Sequence, residues 1–284
     1  MPHYKTISLL LLFALSCACC NGAASKDGAN ADPTPAPAEP LPDAGAMIKR
    51  MITQDGCKDF TAEMRMTAED ESGKRDQVEF RIQRKYSANL AATFLTVLSP
   101  REETGKALLA IEQTDQPTEA FSYLAGLRKL TKINSDRQLG FRGAKVTVQE
   151  MLGMELNQYT HSAGQRVNSD GESLIKVEFK AKEFLNLAFP RIIGFFREKD
   201  RSPAKFELYD SRDELQKKVK IEEAKPIQNR QTITRLAIED LQQKLKVKVE
   251  TRKIEYDRGI PDSIFTENYL KNFVSNAVSK SDQQ

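Results

Sequence analysis

The sequence holds 284 residues, 39% hydrophobic and 29% charged, which is enough apolar material for a real core and excludes whole-chain disorder. Its 43 Lys and Arg stand against 40 Asp and Glu, a net +3 without long single-sign blocks, so no nucleic-acid footprint is expected. Two histidines, His3 and His161, exclude His-dyad, triad and multi-His metal chemistry.

The chain begins with one cation, Lys5, then the apolar run Ile7 to Leu15, then small residues at Ala18 and Gly22 to Ala24. That order describes a secretory signal over residues 1–24; the run falls short of the roughly 20 residues a membrane span needs. Cys17, Cys19 and Cys20 cluster at its exit. Two readings stay open: a partial lipobox that lipidates one of these cysteines, or cleavage near Ala24 that discards all three. Residues 25–45 alternate proline with Ala, Asp and Glu and read as an extended disordered tether. The body follows over 46–278 as one domain, and 279–284 read as a disordered tail. Its lone cysteine, Cys57, has no partner for an internal disulfide, and no zinc-type spacing occurs.

Within the body, 43–53 carries helical spacing. The period then becomes two: Phe60, Ala62, Met64, Met66 and Ala68 alternate with polar residues, and Val78, Phe80 and Ile82 resume the pattern after a turn at Asp70 to Lys74. Further strands are predicted at 90–98, 106–113, 119–124, 128–134, 172–181, 191–198, 204–211, 215–223, 231–240 and 244–256. Helical patches are predicted at 147–154, 182–189 and 265–278. About a dozen strands in an antiparallel meander, with one wet and one apolar face, should curl rather than stay flat, with the helices on the apolar side.

Chemistry-bearing motifs are few. Glu102-Glu103, Glu222-Glu223 and Glu239-Asp240 are adjacent carboxylates, which point to opposite faces of a strand. Neither a nucleophile elbow nor a phosphate loop occurs, and His161 reads as a solvated loop residue. In KLKVKVETRK from Lys244, cations alternate with Leu245, Val247 and Val249 and form a solvated face, or alternatively a stripe for a partner or lipid headgroups. Phe60, Met64, Met66, Phe80, Ile82 and Phe94 lie at period-two positions of three successive strands and are expected to share one face. Spacing alone favours ordinary sheet core; an adaptable lining for an apolar ligand is the functional alternative.

Three stretches together resemble a known family. They are Phe94 to Pro100 with Thr104-Gly105 and Ala107 to Ile111; Ala120 to Ile133 with Gly140 to Gly143 and Thr147 to Met151; and Gly259 to Leu270. Their order is similar to the outer-membrane lipoprotein-sorting-protein-like family, in the LolA/LolB/LppX superfamily, over roughly residues 46–272. The resemblance implies a mainly β (α+β) fold, an unclosed antiparallel β-barrel of about eleven strands with helices lidding a hydrophobic cavity. It implies a periplasmic or envelope-anchored carrier, expected as a monomer, that shields a lipid or lipoprotein acyl chain on its way toward the outer membrane. An inner-membrane transporter and an outer-membrane acceptor would be its partners; no enzyme activity and no cofactor are implied. Some relatives act as sensors, so an envelope sensor or adaptor that binds a protein partner is the alternative. The aromatic-rich strand of the family is reduced here to Phe121 and Tyr123, and the aromatic usual near Ala144-Lys145 is missing.

Overall fold

The structure is a computed structural model that describes residues 44–45, 56–87, 90–114, 116–124, 129–134, 138–141, 144–148, 152, 158–183, 185 and 187–273. The signal segment with Cys17, Cys19 and Cys20, most of the tether and of the 43–53 helix, and the tail lie outside the described residues.

Sixteen strands run in chain order: β1 (Asp59–Glu69), β2 (Arg75–Ser87), β3 (Leu90–Ser99), β4 (Ala107–Gln113), β5 (Gln116–Leu124), β6 (Lys129–Ile133), β7 (Gln138–Phe141), β8 (Ala144–Thr147), β9 (Tyr159–His161), β10 (Gln165–Ser169), β11 (Glu172–Ala181), β12 (Arg191–Arg197), β13 (Pro203–Tyr209), β14 (Leu215–Ile227), β15 (Arg230–Asp240) and β16 (Leu245–Tyr256). Fourteen form one unclosed antiparallel sheet, ordered β10 to β16, then β1 to β6, with β9 beside β10 on the edge of β11. The β7–β8 hairpin stands apart. The mainly β, unclosed architecture agrees with the sequence reading, but the strand count exceeds the expected eleven. The excess lies in the short edge strands β9 and β10, where polar sequence hides the pattern, and in the β7–β8 hairpin.

Two connections prove that the sheet rolls up. β5 and β11 are ten steps apart in strand order, roughly 48 Å if the sheet were flat. Yet Tyr159 pairs with Ala181 of β11 while its neighbour Gln158 donates from Nε2 to Thr118 Oγ1 on β5, at 3.0 Å. Only a curled sheet brings those edges within one residue of each other. The alternating side chains then divide into an interior and an outer face.

One apolar cluster fills the interior, from Ile133 on β6 through β1 to Ile175 on β11. Two connecting segments cover it. Val148 and Leu152 come from the first, and Leu185, Leu187 and Phe189 from the second. The helix expected over 182–189 is absent among the described residues there: 185, 187 and 189 are buried at period two, which a helix would throw onto different sides. Residues 148 and 152 are helical, but Thr147 ends β8. The last predicted helix is observed over 267–273, after a 3₁₀ turn at Asp262–Ile264.

Asp59 fixes where that C-terminal segment goes. Its buried carboxylate accepts N–H bonds from Arg258 (2.9 Å), Gly259 (3.0 Å) and Ile260 (3.3 Å). Gly259 sits at φ +73°, the left-handed conformation that tight turn requires. The chain so turned lays Ile260, Phe265 and Leu270 over the outer face of β3 to β5. Asp59→Ala should therefore lower unfolding free energy by roughly 3 kcal/mol, since it orphans several partly buried N–H groups at once. Urea unfolding followed by circular dichroism measures this, and a loss below about 0.5 kcal/mol would contradict the role.

Candidate functional site

The interior is the candidate site. On β1, Phe60, Ala62, Met64, Met66 and Ala68 all point into it, and on β2 so do Val78, Phe80 and Ile82. Register confirms the shared face: Met64 pairs with Phe80, Met66 with Val78 and Ala62 with Ile82. The sequence reading of these five candidates, Phe60, Met64, Met66, Phe80 and Ile82, as co-facial agrees with that register. All are at most 9% exposed and lie in one continuous cluster.

Phe94 is the correction. It pairs with Gln83, so it points outward, while its neighbour Leu95 pairs with Ile82 and points inward. Phe94 packs edge-on against Tyr269 and Phe273 of helix 267–273, with ring centroids 5.2 and 5.6 Å away. β3 is buried on both faces, so period two could not say which of its residues face inward.

Two ion pairs bound the apolar space, and sequence reasoning missed both. At one end Arg84 Nη2 meets Glu112 Oε1 at 2.5 Å, with both side chains under 10% exposed. Arg84 Nη1 also donates to Thr93 Oγ1 (3.2 Å) and to the carbonyl of Leu152 (3.0 Å), while Glu112 accepts from the Ala91 N–H (3.0 Å). Burial pushes the Glu112 carboxyl upward, and Arg84 and the Ala91 N–H oppose that shift. At the other end Lys217 Nζ lies 3.2 Å from Asp240, which also accepts from Gln243 N and Nε2. About ten residues of β1 register separate the two pairs, roughly 30 Å along the strands. The signal was present: Arg84 continues the inward series Val78, Phe80, Ile82, and Lys217 precedes Val219 and Ile221 on the same face.

Cys57 is buried and free, its thiol donates to the Asp59 carbonyl at 3.0 Å, and burial, with the Asp257 charge second, pushes its pKa up to about 12. Glu239 is exposed and Asp240 buried, so that carboxylate pair does diverge. Among the described residues no group of three or more His, Cys, Asp or Glu could hold a metal ion, and no helix is long and apolar enough to cross a membrane. His161 is exposed as expected, but at the end of β9 rather than in a loop.

Comparisons with known proteins follow this geometry. A family model of uncharacterized proteins matches residues 89–272. No curated protein matches the chain. A solved DUF1329 family protein from Desulfovibrio piger superposes with a TM-score of 0.71 at 19% identity, covering 79% of this chain and 96% of its own. A domain named for outer membrane lipoprotein sorting, from Vibrio parahaemolyticus, gives 0.68 at 20% identity, covering 78% and 97%. A LolA superfamily protein from Nitrosomonas europaea gives 0.68 at 15% identity, covering 81% and 100%. At such identities the structural likeness speaks for the fold alone.

Two outcomes check the site. Arg84→Met should cost about 3–5 kcal/mol by leaving Glu112 buried and unpaired, and adding Glu112→Leu should restore most of it. A single variant as stable as the parent in urea would show that the pair holds nothing. Separately, native protein at about pH 8 should leave Cys57 unlabelled by a thiol reagent, with full labelling only after denaturation. Rapid native labelling would mean that this end of the interior is open.

Proposed function

We propose a function from one premise: this chain belongs to the family of uncharacterized proteins whose model spans residues 89–272, and it shares its fold with the solved lipoprotein-sorting and LolA superfamily proteins. It carries a lipid or lipoprotein acyl chain in the interior of the curled sheet, within the periplasm, toward the outer membrane. Phe60, Met64, Met66, Phe80 and Ile82 contact the chain, and Val148, Leu152, Leu185, Leu187 and Phe189 cover it. The supporting observation is that these five residues lie on one continuous apolar face bounded by two buried ion pairs.

The energetics suit a carrier. Each methylene moved from water into such a space contributes about 0.8 kcal/mol, so a few methylenes retain cargo. Release needs a lining that re-forms when cargo leaves. Met64 and Met66 are unbranched and repack at low cost, so the empty protein closes on itself as a filled core. No bond is made or broken in this cycle, and no cofactor takes part. The exported, mature protein starts either after residue 24, as a freely soluble chain, or at an acylated Cys17, Cys19 or Cys20.

A fluorescent fatty acyl probe tests the reading. The parent should bind it saturably, and Met66→Ala should change its affinity several-fold. Leu109→Ala is the matched control, because Leu109 is equally buried but belongs to a separate cluster beneath the C-terminal segment on the outer face. Both substitutions should cost about 2–5 kcal/mol of stability. Absence of saturable binding, or equal affinity losses in the two variants, would refute an interior acyl site.

A further inference from the structure

The outer face carries its own pattern, independent of the interior. Two rows of side chains there run across the sheet with strictly alternating charge. One is Glu207, Lys218, Glu239, Lys246, Glu69 and Arg75 on β13 to β16, β1 and β2. The other is Glu223, Arg235, Glu250, Arg65 and Glu79. Each residue in these rows faces an opposite charge on the next strand, the arrangement that favours cross-strand pairing.

The row between them breaks the rule. It reads Lys205, Lys220, Ala237, Lys248, Thr67 and Gln77, three cations and no acid. Lys205 stands directly opposite Lys220, a like-charge pair that destabilises the sheet. Lys205 leans away to Ser169 Oγ (2.7 Å) and Asp170 (3.6 Å), and Lys248 reaches Glu222 only at 3.8 Å. Among the described residues, no carboxylate lies within ion-pair distance of Lys220. This row runs along a groove of about 990 Å³ on the outer face. Leu174 and Ala204 line one end of the groove, where they join the apolar cluster of Ile193 and Phe195.

We propose that this groove binds the phosphate headgroup of an anionic phospholipid, with Lys205, Lys220 and Lys248 around the phosphate and Thr67 as a hydroxyl donor. An anion there removes the lysine–lysine repulsion that the fold otherwise bears. A free phosphate would fill only a small part of so large a groove and would leave its apolar end unused. An amphiphile matches both ends, the phosphate over the lysine row and its glycerol and first methylenes toward Leu174 and Ala204. The site docks the protein on a membrane surface and goes beyond the interior carrier reading; either can fail without the other.

Co-sedimentation with phosphatidylcholine vesicles, with and without phosphatidylglycerol, tests it. The parent should bind only the phosphatidylglycerol vesicles. Lys220→Gln with Lys248→Gln should weaken that binding about thirty-fold, given about fivefold for each lysine at the surface. Lys253→Gln with Lys271→Gln removes the same charge elsewhere and should weaken it far less. Thr67→Glu, which places an acid in the row, should abolish it, and decides the matter if the double variant proves unstable. Equal losses in the two double variants would reduce the effect to net charge and overturn the site. So would absence of phosphatidylglycerol-dependent binding, or complete displacement by inorganic phosphate but not by chloride of equal ionic strength, which would make the occupant a free anion.

Discussion

The Arg84–Glu112 ion pair organises the interior. A guanidinium in so dry a place needs partners, and the two Nη atoms of Arg84 reach Glu112 on β4, Thr93 on β3 and the carbonyl of Leu152. The last of these partners belongs to the segment that crosses between the two edges of the sheet. Leu152 packs with Val148 in the same apolar cluster, and Gln158 meets Thr118 while Tyr159 meets β11. The buried charge thus ties part of the cover to the sheet. An apolar residue at position 84 would pack as well but would fix no register for the crossing chain.

The structure separates two kinds of chemistry by strand parity. Among the described residues, inward positions are mainly apolar, with a buried ion pair at each of two opposite ends. Outward positions carry charge ladders and one unbalanced lysine row. Packing inside differs between the two halves of the sheet. Around β12, Gly194 lies beneath Phe179, Phe196 and Phe206, and a Cβ there would meet their rings at 2.9–3.0 Å. Around β1 and β2 the filling is Met64 and Met66 beside Phe60 and Phe80. The β12 side is thus an aromatic wall, while the β1 and β2 side carries the unbranched methionines.

Legibility followed from the same parity. The alternation in β1 and β2 was strong because one face is wet, and it located Phe60, Met64, Met66, Phe80 and Ile82 together. It failed at Phe94 because helix 267–273 buries the second face of β3 and erases the contrast. The short β10 was missed although Asp170-Gly171 follows it, both at positive φ as a tight hairpin turn needs. Arg84 and Lys217 belong to no motif in the sequence. Their places in inward series mark them as buried charges, and so as residues with obligatory partners. Which partners, and that Leu152 is among them, depends on how the sheet curls, and local sequence carries no trace of that.

The central claim is that the interior opens to hold an acyl chain. Native mass spectrometry of the protein purified from its own envelope fraction tests it most directly. The account predicts a population carrying the added mass of an acyl lipid, released as free protein when organic solvent is added. Protein found only at its own mass, or with a stoichiometric protein partner and no lipid, would contradict it.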